Sequence, residues 1–588
     1  MRFPALGEFV QYLESIGDLQ RVKVEVDPRF ELTEIATRAL REQKPALFFE
    51  RVRGSSFPVV MNVYASERRI EHALGEHPEK IGEALLSFFE RIVPPKPSTL
   101  WRERRMVKRL LSARSIRVSA ALSQEVVEEP DLDRLPIQTC WPKDGGRFLT
   151  MGQVFTYDPV TGRRNVGMYR LQVYDRKTTG MHIQIERGGG AHYYRAEQLD
   201  RDLEVAVALG TDPALLLATI AALPEDIDEV QFAAFLRGRA VPMTQGKRVS
   251  IPVPAQAEFV LEGVVPRKER RLEGPFGDHF GHYSTAAPFP VFRLRAITRR
   301  RSPVYPATVV GVPPMEDKYL GDATQQILGP LVRLIHKEVK DLWAYYEAGF
   351  HNLLVVSVEE RYHKEAMKAA LGLLGTGQLS LTKCLVLVSH DVNPRDWKAV
   401  LREIHDHFDP HGDFVLLSKV PLDTLDFTSY RMELGSKMII DATKKERPRR
   451  AKGKIKKRDL AEVGRLDSRI LDSVLIENTL LIVKVRSGGR EVVEKLVSNT
   501  QLEGISIVAA VSEDVDLESQ ESYIWGIFTR FDCERDVVFT EQRLVGISPI
   551  YKGIMGIDAT WKKGYPEPLV MDETIVKLVD QRWGAYWQ

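Results

Sequence analysis

Cysteine is scarce in this chain of 588 residues: only Cys140, Cys384 and Cys533 occur, far apart and with no CxxC pair. That excludes a disulfide framework and a thiolate zinc site, and it points to a reducing compartment. No run of 18 apolar residues exists, so a membrane-spanning helix is excluded, and the opening Met-Arg-Phe-Pro does not read as a signal peptide. Excess charge is also missing. Lys and Arg number 83 against 81 Asp and Glu, a net charge of +2, which gives no electrostatic case for a polyanion or a membrane surface as partner. The Walker A loop, the GxGxxG fingerprint, the GxSxG elbow and the HExxH helix are all absent. The expected setting is the cytoplasm.

What is present is a large globular composition, 44% hydrophobic and 28% charged, enough for several cores. Residues 1–115 read as a small α/β domain, with a helix from Leu6 to Glu14 and strands at Gln20–Val26, Ala46–Phe49 and Val59–Met61. Residues 116–320 read as strands with Gly/Pro turns, interrupted by a helical stretch from Glu197 to Leu209. Leu331, Leu334, Ile335, Val339, Leu342 and Trp343 share one helical face. That spacing predicts a linking helix within 321–350 that starts at Pro330.

The remainder contains a repeat. Leu353-Leu-Val-Val-Ser-Val matches Leu480-Leu-Ile-Val-Lys-Val, and Val388-Ser-His-Asp matches Val511-Ser-Glu-Asp. His407-Phe-Asp matches Arg530-Phe-Asp, and Ile440-Asp-Ala-Thr matches Ile557-Asp-Ala-Thr. Four matches in one order predict two copies of an α/β module, 351–445 and 478–588, joined by a linker at 446–477. The linker carries the basic run Arg447–Arg458, which has no aromatic residue to stack on a base.

Three segments could carry chemistry. In Glu273-Gly-Pro-Phe-Gly-Asp278 two carboxylates flank a turn in which Pro275 sets φ and Gly277 permits positive φ. Brought together they would repel, and one would become a proton donor near neutral pH. In Asn165-Val-Gly-Met-Tyr-Arg170 the polar residues are five apart, so a bulge at Gly167 would be needed to put them on one face. In Met181-His-Ile-Gln-Ile-Glu186, alternation puts His182, Gln184 and Glu186 on one strand face. Asn165, Glu186 and Glu229 together would offer oxygen donors suited to Mg²⁺ or Mn²⁺.

As a set, these segments resemble the UbiD family of decarboxylases, which use prenylated FMN. Further matching segments are Lys44-Pro-Ala-Leu-Phe-Phe, Ala208-Leu-Gly-Thr-Asp-Pro, Asp391-Val-Asn-Pro-Arg-Asp-Trp and Gly435-Ser-Lys-Met-Ile-Ile-Asp. The resemblance implies a multidomain α/β and α+β chain: an N-terminal α/β domain, a split β-barrel for the flavin and a C-terminal domain used in dimer contacts, here duplicated.

It implies a catalytic network of Arg170, Glu273 and Asp278. It places Asn165, Arg170 and Lys383 at the cofactor, and Asn165, Glu186 and Glu229 on a Mn²⁺ or Mg²⁺ ion, with K⁺ as a further candidate ion. Glu186 stands where the family usually has His, and His182 or His192 would then compensate its charge. The expected activity is reversible, non-oxidative decarboxylation of an aromatic or α,β-unsaturated acid. A naphthoate-type acid of menaquinone biosynthesis is one such substrate. A flavin prenyltransferase would supply the cofactor, and the protein would form a homodimer or higher homo-oligomer. Two alternatives are a non-catalytic subunit of a UbiD-type carboxylase complex and a nucleic-acid-binding protein using the 447–458 run.

Overall fold

A computed structural model describes residues 3–183, 188–224, 227–429, 431, 434–445 and 463–588. The chain forms two compact units, residues 1–327 with 567–588 and residues 328–566.

In the first unit the expected N-terminal elements form. A helix spans Leu6–Ser15, and the strands Leu19–Val22, Ala46–Phe49 and Val59–Met61 make a small sheet. Its fourth strand, Tyr305–Pro306, comes from the end of the middle region, after strand Ala287–Arg299, and pairs in parallel with Val59–Val60. The N-terminal sheet is therefore completed only after the chain has built the next domain.

That domain is a curled sheet. Its path runs Phe148–Leu149, Leu171–Asp175, Thr178–Gly180, Ala287–Arg299, Phe259–Val265, Leu203–Leu209, Gln153–Tyr157 and Arg164–Met168. Arg164–Met168 ends the path, while Leu171–Asp175 lies second from its other end. Only Tyr169 and Arg170 join them in sequence. Laid flat, strands six places apart would be ~29 Å from one another, whereas the link from Met168 to Leu171 reaches about 11 Å at most. The sheet must curl until its ends meet, and Arg170 sits in the closure.

The structure departs from the sequence reading at three elements. The Glu197–Leu209 stretch is split: a helix covers Gly188–Gln198, and Leu203–Leu209 is a central strand, buried on both faces and so without alternation. Met181–Ile183, the described part of the strand expected from Met181, has no strand assignment, the neighbouring strand is Thr178–Gly180, and the rest of the expected strand lies outside the described residues. The linking helix expected at 331–348 is a helix at Glu316–Leu328, a short 3-10 turn at Gly329–Leu334 and a strand, Val339–Ala344. A register shift between Val339 and Asp341 breaks the strand's alternation, which is why its apolar residues mimic helical spacing.

The second unit bears out the repeat at the level of topology. One five-stranded sheet runs Val339–Ala344, Leu353–Val358, Cys384–Ser389, Leu434–Asp441, Phe414–Pro421; the other runs Ile470–Ile476, Leu480–Val485, Ile507–Val511, Ser548–Ala559, Val537–Val545. Each has an antiparallel first pair, two parallel pairs and an antiparallel last pair. The modules share one core, with Phe414 packed edge-on to Phe539 and Tyr551 at 4.9 and 5.0 Å. The second module ends by Pro566; residues 567–588 belong to the first unit. The basic run 447–458 lies outside the described residues.

Lys383 joins the modules. It is fully buried, its ammonium 2.9 Å from Asp426 Oδ2 and donating at 2.9 Å to the carbonyl of Phe531 in the other copy. Lys383→Ala is expected to leave Asp426 buried without its counter-ion, at a cost of about 3–5 kcal/mol. Urea unfolding followed by tryptophan fluorescence should show a lowered midpoint.

Candidate active site

The turn after strand Arg270–Glu273 brings two acids to one arginine. Arg170 Nε donates to Glu273 Oε1 at 2.9 Å, Arg170 Nη1 donates to Asp278 Oδ2, and Arg170 Nη2 donates to Ser284 Oγ at 3.0 Å. The Arg170 side chain is 8% exposed and that of Glu273 is fully buried. The guanidinium also lies 4.8 Å from the centre of the Phe276 ring, which itself packs on Phe148 at 4.6 Å. The remaining acceptors are taken by histidines: His182 Nδ1 is 2.7 Å from Glu273 Oε2, and His279 Nδ1 is 2.7 Å from Asp278 Oδ1.

This geometry reverses the expected electrostatics. The two acids do not share a proton by repelling one another, because each faces its own edge of the guanidinium. Burial pushes Asp278 up, but the His279 ring and the Arg170 charge outweigh it and hold the carboxyl well below its ordinary range. Burial also acts on Glu273, and His182 and Arg170 again bring it below its usual value. Burial and the adjacent Arg170 lower His182, so the ring is neutral and its Nδ1–H is the donor to Glu273.

The turn itself differs in detail from the expectation. The positive φ is at Gly274 (96°), not Gly277, and Gly274–Pro275 is cis. Gly277 is needed for space, since a Cβ there would overlap the Trp141 ring. Asp144, which the sequence reading missed, ties the turn down. Its Oδ1 accepts from Gly277 N at 2.8 Å, and its Oδ2 accepts from Trp141 N at 2.8 Å and Cys140 N at 3.1 Å. Burial pushes this carboxyl up to about 7 against those three bonds. Gln172 adds a further tie, accepting from Gly274 N at 2.7 Å and donating to Gly145 O at 2.6 Å.

Asn165 lies on the same closing strand as the Arg170 link, and no bulge occurs at Gly167: the pairing of Gln153–Tyr157 with Arg164–Met168 is regular. Arg170 escapes the strand's alternation because the strand has already ended. The first turn of helix Gly188–Gln198 abuts Asn165, where a Cβ on Gly188 would overlap Asn165 Oδ1. Asn165 Nδ2 is buried with no hydrogen-bond partner among the described residues. Glu229 starts helix Glu229–Arg237, and its Oε2 accepts from Val166 N at 3.0 Å. Burial pushes Glu229 up to about 7.

Glu186 lies outside the described residues. His192 is buried and bonds Thr156 Oγ1 at 2.9 Å, and burial lowers it, so it adds no positive charge. Lys383 belongs to the second unit, where its ammonium is held in the module core by Asp426 and the Phe531 carbonyl. Among the described residues no group of three His, Cys, Asp or Glu could hold a metal ion.

Removing the guanidinium exposes these opposing effects to measurement. Glu273 and Asp278 titrate below their unfolded values, so the stability they contribute is complete above about pH 4 and is lost as pH falls through the folded values. In Arg170→Ala burial is no longer offset by that charge, both acids move up, and the ionised forms become costly. The variant's loss of thermal stability against wild type is expected to be largest near pH 7 and to narrow toward pH 4. Paired melting curves across that range check it.

Three family models cover most of the chain: the N-terminal domain of 3-octaprenyl-4-hydroxybenzoate carboxy-lyase over 10–89, its Rift-related domain over 114–313, and its C-terminal domain over 318–442 and again over 472–559. A Chlamydia pneumoniae protein, named as a 4-hydroxybenzoate decarboxylase subunit, is 35% identical over 591 residues, covering 99% of this chain and 98% of its own. The vanillic acid decarboxylase of Sedimentibacter hydroxybenzoicus is 26% identical with a TM-score of 0.68, covering 76% of this chain and 95% of its own. The UbiD-class enzyme HmfF of Pelotomaculum thermopropionicum, solved with FMN, is 30% identical with a TM-score of 0.62, covering 75% of this chain and 94% of its own. With all three domain types present in order and a relative matching along the full length, this chain belongs to the UbiD family of decarboxylases.

Proposed function

We propose that the protein is a prenylated-FMN-dependent decarboxylase of an aromatic carboxylic acid, with Arg170, Glu273 and Asp278 as its acid–base network. The observation that carries the reading is the single buried guanidinium shared by two carboxylates on the turn 273–278. The aromatic class draws support from the vanillic acid and 4-hydroxybenzoate enzymes to which the chain is similar.

The surroundings of Asn165 fit a phosphate-bearing cofactor and a divalent cation. Gly188, Gly189 and Gly190 open the helix Gly188–Gln198, and the N–H groups at a helix start suit an anion. Asn165 Nδ2, without a partner among the described residues, would be a donor for the same phosphate, and its Oδ1 together with Glu229 would supply oxygen donors for Mn²⁺ or Mg²⁺. A cation there would offset the burial that raises Glu229. Lys383 has no part in this reading.

When bound, prenylated FMN supplies the electron sink for carbon–carbon cleavage. The protein's part is orientation and proton supply. Asp278 rests as a carboxylate, so it must gain a proton before it can give one. An anionic substrate beside Arg170 competes for the guanidinium and adds like charge, and both effects raise Asp278. His279, on Asp278 Oδ1, is placed to pass the proton on. Asp278 then protonates the carbon that has lost CO₂, and in the reverse direction removes that proton.

Asp278→Asn keeps shape but cannot relay a proton. Turnover of a panel of hydroxybenzoates by the cofactor-loaded enzyme should fall by about 10²–10⁴-fold, with the flavin absorbance retained. Near-wild-type rates would exclude Asp278 as the acid. Glu229→Gln is expected to lower bound Mn²⁺ and flavin together without changing the melting curve of the apoprotein. Unchanged metal by elemental analysis would remove Glu229 from the ligand set.

A further inference from the structure

The last residues of the chain return to the first unit beside the acid-bearing turn. Tyr283 N donates to Glu567 O at 3.2 Å, Leu569 N donates to Gly281 O at 2.9 Å, and His282 and Pro568 form an antiparallel bridge between them. The same loop closes on the acid, since Asp278 N donates to His282 O at 3.1 Å and Gly281 N to Asp278 O at 2.9 Å. Leu569 is 6% exposed, whereas its neighbour Val570 is 70% exposed, so one side chain of the pair is turned inward. It packs against Gly277: a Cβ there would lie 2.9 Å from Leu569 Cδ2. On the flank, Lys143 Nζ pairs with Glu567, and Lys143 N donates to Tyr283 Oη at 3.2 Å.

Beyond this contact the segment is anchored firmly. Helix Glu573–Arg582 lies on Glu31–Arg41. Arg582 Nη1 and Tyr586 Oη reach Glu31 Oε1 at 2.5 and 2.7 Å, and Arg38 Nη1 reaches Asp580 at 2.5 Å. Tyr586 is fully buried. Residues 567–569 are thereby held across the loop 277–283.

We infer that residues 567–569 are a strap that positions the proton-delivering turn, with Leu569 as its key positioning residue. The inference rests on the role proposed above for Asp278. Asp144 and Gln172 hold one side of the turn, and the strap holds the other. Without it, the amide of Tyr283 and the carbonyl of Gly281 lose their partners and Gly277 loses its apolar cover. The loop could then open locally. Small displacements of a reacting group cost large factors in rate, so the acid would be present but misplaced. The strap touches no reacting atom.

Hydrogen exchange on the full-length apoprotein tests the restraint without any turnover. In Leu569→Ala and Leu569→Asp, peptides spanning 276–284 should exchange at least about 10-fold faster, while those of strand Phe259–Val265 stay unchanged. Leu569→Met should restore wild-type protection. In cofactor-loaded enzyme, kcat should fall by about 10–100-fold with KM little changed, because the substrate's own contacts are intact. Unaltered protection of 276–284 in both Leu569→Ala and Leu569→Asp would overturn the strap, as would a raised KM at full kcat. If exchange responds but the wild-type enzyme decarboxylates no acid in the panel, the functional reading fails and the strap stands as a restraint on the loop.

Discussion

One guanidinium carries the site. Glu273 and Asp278 are buried, and a buried carboxylate is stable as an anion only with a counter-charge and hydrogen bonds. Arg170 supplies both, one edge to each acid, and it can do so because of where it sits. It occupies the two-residue link that closes the curled sheet, where no strand alternation dictates its direction. The closure, the turn 273–278 and the charge balance are therefore one constraint. Moving Arg170 by one residue would either open the sheet or leave two anions in the interior.

Around that centre the protein spends its polar groups on fixing backbone. Asp144 uses its acceptors on amides of 140–141 and 277, and Gln172 bridges 145 and 274. Neither side chain takes part in the proposed proton transfer. They limit how far the turn that carries Glu273 and Asp278 can move.

The duplicated module shows the same economy on a larger scale. Two copies with identical strand order share one core, with a buried lysine of the first held by an acid of its own and a carbonyl of the second. Both copies face inward on a common apolar layer, so one chain contains a contact of the kind that identical subunits make with each other.

Much was legible from residue order alone. The N-terminal strands, the repeat and the acidic turn follow from local pattern, because turn chemistry and repeated motifs are written in consecutive residues, whereas Asn165, Arg170 and Glu229 are singled out by the resemblance. The pattern misled where burial on both faces or a bulge erased the period, as at Leu203–Leu209 and Val339–Ala344. Lys383 misled because a lysine in a conspicuous place looks the same in sequence whether it faces a phosphate or a buried aspartate. The amino-acid order by itself thus determined the domain content, the duplicated module and the identity of the chemical groups. Only the tertiary structure decided that the two acids are held down rather than pushed up in pKa, that Asp144, Gln172 and His182 brace them, and that residues 567–569 lie across the loop 277–283. Those outcomes depend on which groups meet across long separations in the chain, and charge and hydrogen bonding act through space, with no trace in the spacing of residues along it.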